Sequence, residues 1–121
     1  MNKRLVTAIA LIWSVAFLIG ANSHFWDIAA FGWRGRPHMP DAFNIYWTSL
    51  LPLDLLAAIL IWWKRRAGVV LAMFIMLTDV AVNSYAIFVV GDRQIHASWI
   101  LQSLFLIFVL LTAPLLWRKA I

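Results

Sequence analysis

Cysteine is absent from this 121-residue chain, which excludes disulfides, thiolate metal sites and cysteine nucleophiles. Charge is scarce as well: 12% of residues are charged, against about 25% in soluble domains. All five acidic residues are aspartates. No Gly-rich phosphate loop, Ser-His-Asp pattern or zinc-protease helix is present, which removes the common catalytic signatures. Polar linking sequence is short except in one place, so no room is left for a soluble domain. What fills the chain is apolar: 64% of residues are hydrophobic and eight are tryptophan. Such a composition predicts an all-α, polytopic membrane protein.

Four apolar runs can be marked, at about residues 5–26, 42–63, 68–90 and 95–117. Each is long enough to cross about 30 Å of hydrocarbon as a helix rising about 1.5 Å per residue. The expected architecture is therefore a single four-helix transmembrane bundle. Between the runs lie WDIAAFGWRGRPHMPD, KRRAG and GDRQ. Lys3, Arg4, Lys64, Arg65, Arg66, Arg118 and Lys119 fall on one side. Arg34, Arg36 and Arg93 share the other with Asp27, Asp41 and Asp92. By the positive-inside rule the first side is cytoplasmic, with both termini inside, as in a multi-pass protein of a bacterial inner membrane. The net charge of +5 is thus a topology signal, not a nucleic-acid-binding face. NKR, an apolar run and GANSH share the layout of a secretory signal cut after Ser23. The run is long for a signal, and Asn22 and His24 suit the outer end of a retained helix, so retention is expected.

Asp54 and Asp79 are the informative residues. Counted from the ends of their runs, both fall near the bilayer midplane, where an ionisable group costs at least about 2.5 kcal/mol and is usually turned toward the bundle or a water-filled cavity. Ala72, Asp79, Asn83 and Ala86 share a narrow arc of the third helix, a small and polar stripe suited to facing inward. Trp47 and Asp54 share a face of the second, with Asn44 and Thr48 flanking it toward the outside. Pro52 sits beside the acid and cannot donate to the Thr48 carbonyl. Asn22, Gln102 and Ser98 add polar groups in the outer half. Trp13, near mid-depth, needs a partner for its indole N–H.

These residues predict an outward-opening polar cavity that ends at the Asp54/Asp79 pair and is lined by Asn83, Trp47, Thr48, Asn44, Gln102 and Asn22. The expected partner is a small hydrophobic or cationic ligand, beside the lipid bilayer itself. The plainer alternative is that both acids fasten helices by hydrogen bonds. At the outer rim His24, Asp27, His38 and His96, with Asp41 and Asp92, form a weaker constellation, in which the i,i+3 spacing of His24 and Asp27 could present two metal ligands. Interfacial residues of these types more often cap or solvate helix ends. No cofactor is expected, since a bis-histidine haem needs histidines at mid-depth. The loop FGWRGRPHMPD reads as an ordered interfacial loop, or more sharply as a lid whose Arg34 and Arg36 meet phosphate headgroups.

Size and four spans are shared with small multidrug transporters, but their glutamate in the first span is missing here. With both termini inside, acidic residues at mid-depth and an outward cavity, the layout resembles the EXPERA (emopamil-binding) superfamily, whose glutamates are matched only by aspartates here. NIYWTSL, LPLD, KRRAG and DVAVNSY also look like small uncharacterised bacterial four-helix membrane proteins. The first resemblance implies an isomerase or amphiphile-binding protein; the second implies no activity. Three expectations follow: a binding or transport protein, possibly proton-coupled; a membrane-embedded acid–base enzyme on an apolar substrate; or an accessory subunit. In the last case Ala72, Asp79 and Ala86 would face outward toward a second copy or a partner membrane protein.

Overall fold

The computed structural model describes residues 2–92 and 94–118; Arg93 and Lys119, counted above in the charge bias, lie outside the described residues. It is all-helical, with four helices: α1 (Lys3–Phe31), α2 (Asp41–Trp63), α3 (Arg65–Tyr85) and α4 (His96–Arg118). All four are long and apolar enough to cross a membrane. Asn2 caps α1 by accepting a hydrogen bond at 2.7 Å from the Arg4 N–H, an orphan donor of the first turn. Gly32, at φ 76°, ends it by returning its N–H to the Ile28 carbonyl, a conformation that favours glycine. Residues 27–31, which the sequence reading places in a loop, are therefore helical, and α1 is about 43 Å long.

Only Lys64 separates α2 from α3, so these two helices form a tight antiparallel hairpin. Gly68 makes the close approach possible, because a Cβ there would lie 2.5 Å from the Ile61 nitrogen. Beyond Tyr85, α3 continues as a π-helical turn, Ala86–Val90, closed by Gly91 at φ 89°. Each helix packs on its neighbours in sequence, and α1 meets α4 more sparingly. Arg36 joins the α1–α2 loop to Asp92 after α3, while Arg66 donates to the Trp117 carbonyl. One end of the bundle thus carries the two loops, and the other carries the hairpin turn and both termini.

The apolar core fills the termini half: Val6, Ala10 and Trp13 of α1 meet Ala57 and Ile61 of α2, Val69 and Ala72 of α3, and Val109 and Leu116 of α4. Trp13 finds its partner, donating to Thr112 Oγ1 at 2.9 Å. Ser14 accepts from the Trp62 indole at 2.7 Å, which fixes the register of α1 on α2. Arg65 and Arg66 stack over Trp62 and Trp117 at 5.7 and 4.8 Å, cation–π pairs that suit a headgroup level. Outward-facing leucine, isoleucine, valine and phenylalanine side chains clothe every helix. An apolar surface of this kind is compatible with a multi-pass membrane protein.

Candidate functional site

The loop half of the bundle holds a cavity of about 400 Å³ lined by all four helices. Asp54 and Asp79 both line it, and both are buried. Ala72, Asp79, Asn83 and Ala86 are buried together inside the bundle, so the small and polar stripe of α3 faces inward and not toward lipid. The two acids do not sit level, as counting from the ends of the runs suggests. Gly68 against Ile61 and Asn83 against Trp47 fix the α2–α3 register, and α3 begins at Arg65 instead of Gly68. Asp79 consequently stands about one helical turn, about 5 Å, nearer the loop end than Asp54.

Asp79 is anchored. Asn83 donates to its Oδ1 at 3.1 Å and to Gln102 Oε1 at 2.5 Å, while the Asn83 oxygen accepts from the Trp47 indole at 2.8 Å. The amide is saturated on three sides, which fixes its flip and ties α2, α3 and α4 together. Asp54 is different. Among the described residues none donates a hydrogen bond to it, and the His24 imidazole stands beside it, with Nε2 3.9 Å from Oδ2. Gly20 leaves room for this carboxyl: a Cβ there would lie 2.7 Å from Asp54 Oδ2.

His24 is a correction to the rim constellation. The Ser14–Trp62 bond sets α1 lower on α2 than span counting implies, so His24 reaches the level of Asp54 inside the cavity. Asp27 lines the cavity one turn further on. His38 instead stands 3.4 Å from Asp92, and the His96 ring lies 5.6 Å from that of Trp99. Among the described residues no three histidines or carboxylates gather into a group that could hold a metal ion.

Asn22 is exposed and does not line the cavity. Ala16, Gly20, Ser23 and Asp27 define the cavity face of α1, and Asn22 is rotated about 100° from Ser23. Thr48 and Asn44 do line it, but their hydrogen bonds go to the loop. Thr48 donates to the Trp33 carbonyl at 2.8 Å. Asn44 accepts from the Arg36 N–H and donates to the Arg36 and Met39 carbonyls, at 3.0, 3.0 and 3.3 Å.

Pinned in this way, Gly32, Trp33, Gly35 and Arg36 form the cavity's roof. Arg36 binds Asp92 through Nε and Nη2 at 2.9 and 2.7 Å and reaches Gln94 at 2.9 Å. Arg34 pairs with Asp41 at 3.0 Å. Both arginines suggested as phosphate contacts are thus engaged within the chain. Burial alone would raise the Asp92 carboxyl. The Arg36 hydrogen bonds, the Gln94 backbone N–H, the Arg36 charge and the His38 contact together bring it below its usual value. The roof latch was not legible in the sequence; its one signal was Asp92 following a glycine at the end of an apolar run.

Comparison with protein-family models, with curated proteins and with solved structures finds no match to this chain. Its function must be argued from the cavity.

Proposed function

We propose that this chain is a multi-pass membrane protein, with its loop end outside and its termini in the cytoplasm, that binds a small hydrophobic cation in the cavity between its four helices. The orientation is supported by Lys3, Arg4, Lys64, Arg65, Arg66 and Arg118, which gather at the termini end, whereas Arg34 and Arg36 at the loop end are each paired with an aspartate. A bacterial inner membrane fits this bias.

The observation that carries the ligand is Asp54. A carboxyl used as a fastener would be hydrogen-bonded, because an unpaired buried polar group is costly. This one receives no hydrogen bond from the described residues, and although the residue is buried its oxygens are open to a cavity of drug-like size. Phe17, Ile75, Met76 and Phe105 supply apolar walls beside it. An ammonium group within that space would meet two carboxyls and an aromatic lining, the combination that selects cations of low hydration.

The test is Asp54→Asn in reconstituted protein, with tetrabutylammonium as a permanently charged probe. Asparagine keeps the size but not the charge, and no hydrogen bond is lost on the protein side. Binding should fall by at least about tenfold, on the order of 1.4 kcal/mol, with thermal stability retained. Wild-type binding by the variant would refute the reading. A second reading, acid–base chemistry on an apolar substrate, is favoured by one observation: His24 and Asp54, both able to exchange a proton, share the cavity. It requires that an apolar compound incubated with the protein in D2O take up deuterium, and that His24→Gln abolish the uptake.

A further inference from the structure

The cavity walls are unequally covered. On α2 and α3 every lining residue is buried or half-buried, whereas α1 and α4 contribute exposed lining residues, among them Ile19 (62%) and Leu101 (68%). Of the adjacent helix pairs, these two pack together most sparingly. A residue that lines a cavity and is also exposed marks its mouth. The mouth here runs from the loop end, where Asp27, Gly32 and Trp33 line the cavity and are exposed beside the roof that Arg36 holds, into a slot between α1 and α4 that opens sideways. The slot is graded along its length: Ser23 and Ser98 border it toward the loop end, Ile19 and Leu101 deeper in. Below them the edge-to-face pair Phe17–Phe105, with centroids 5.8 Å apart, bridges α1 and α4 and closes it.

We infer that the ligand is a single-chain cationic amphiphile drawn from the bilayer, entering through the α1–α4 slot and keeping its tail between Ile19 and Leu101 while its ammonium group lies at Asp54 and Asp79. The inference rests on the cation-binding reading above. An apolar lateral mouth leads from lipid directly to two acids, so a molecule already dissolved in the membrane reaches the carboxyls without crossing the roof. A tail left in the slot also stays in contact with apolar surface, which makes binding cheaper than full enclosure within the cavity.

The experiment uses the full chain in phosphatidylcholine vesicles and two photoactivatable amines with a terminal diazirine, one on a dodecyl chain that partitions into lipid and one on a butyl chain that stays in water. Labelled residues are read by mass spectrometry. The dodecyl probe should label Ile19, Leu101 and Phe105. Labelling should drop at least about tenfold in Asp54→Asn and in the slot-blocking pair Ile19→Trp/Leu101→Trp. It should persist in Leu18→Trp/Leu104→Trp, which adds the same bulk to exposed positions outside the cavity lining. If the blocking pair does not fold, Leu101→Trp alone carries the test.

Slot labelling that survives Asp54→Asn would overturn the cationic ligand and the binding reading together. Labelling confined to the buried walls Ile75 and Met76 would overturn the slot and leave cation binding intact, as would butyl-probe labelling that is stronger than dodecyl and unaffected by the blocking pair. Labelling spread evenly over outward faces such as Phe74 and Leu111 would overturn both. So would a slot found covered by a second copy of the chain, cross-linked through these positions.

Discussion

Replacing Gly20 by alanine tests where the Asp54 carboxyl stands without removing it. The added Cβ would lie 2.7 Å from Asp54 Oδ2 and 3.6 Å from its Cγ, whereas a comfortable carbon–oxygen contact is about 3.3 Å. The carboxyl must therefore retreat by about 0.6 Å. It can do so by turning, since the atom in the way is the end of a side chain and not backbone. Lengthening an ammonium–carboxylate contact from about 3.0 to about 3.6 Å at an effective dielectric of about 20 loses about 0.9 kcal/mol, which is roughly fivefold in affinity. Stability moves little, because alanine gains about 0.5–1 kcal/mol over glycine in a helix interior and this offsets the side-chain displacement. The assay pairs tetrabutylammonium binding with thermal unfolding of Gly20→Ala in detergent. Wild-type affinity would show that the ligand does not touch Asp54, and a large loss of stability would show that the carboxyl is fixed and not mobile.

The same substitution at Gly68 should give the opposite pattern. There the added Cβ meets backbone, at 2.5 Å from Ile61 N and 2.7 Å from the Leu60 carbonyl carbon, so α3 must move off α2. Gly68→Ala should cost about 1–3 kcal/mol in denaturant unfolding, with ligand affinity falling only as far as the fold does. Asp92→Asn should free the roof and destabilise the protein by about 2 kcal/mol at neutral pH, the range for losing charged hydrogen bonds. Because the Asp92 carboxyl is depressed in the folded state, its contribution is complete above the ordinary carboxylate value near 3.9 and disappears as pH falls through the lowered value. The wild-type advantage over Asp92→Asn should therefore be flat above about pH 5 and shrink below about pH 4; an advantage that grows with acid would refute the latch. For orientation, reporter fusions after Arg66 and Arg118 should score cytoplasmic and those near His38 external, since basic loops resist translocation.

Four helices could be read from the sequence because run length and charge report directly on crossing a bilayer, and neither depends on how the helices meet. The inward stripe of α3 was legible for a similar reason: Ala72, Asp79, Asn83 and Ala86 recur at helical spacing, and no lipid-facing stripe would carry two polar groups at that depth. Register was not legible. The level of one helix against another is fixed by contacts such as Ser14–Trp62, Gly68–Ile61 and Asn83–Trp47, which join residues far apart in the chain. Every misplacement of a site residue along the bundle follows from that. Counting depth from the ends of the apolar runs puts Asp54 and Asp79 level and His24 at the rim, and those ends are not the ends of the helices.

Asn22 marks a different limit. Its depth shifts inward with that of His24, and its face differs as well: it sits one residue from Ser23, and a single residue turns a helix by about 100°. A short polar cluster such as ANSH therefore carries no rotational information by itself. The face is set by what lies one and two turns away, and on α1 that is Ala16 and Gly20, the small residues that leave space opposite Asp54. Ala16 and Gly20 read as helix packing in the sequence, since small residues in membrane helices usually mark close approach. Here the space at Gly20 admits a carboxyl instead of a neighbouring backbone. The two uses of small residues look alike in sequence and differ in what stands opposite: at Gly68 it is the backbone of α2, and at Gly20 it is an acid that no residue described here hydrogen-bonds. A glycine facing a carboxyl that accepts no hydrogen bond keeps space for the acid itself, and so lets it stand at the cavity wall, where the proposed cation would meet it.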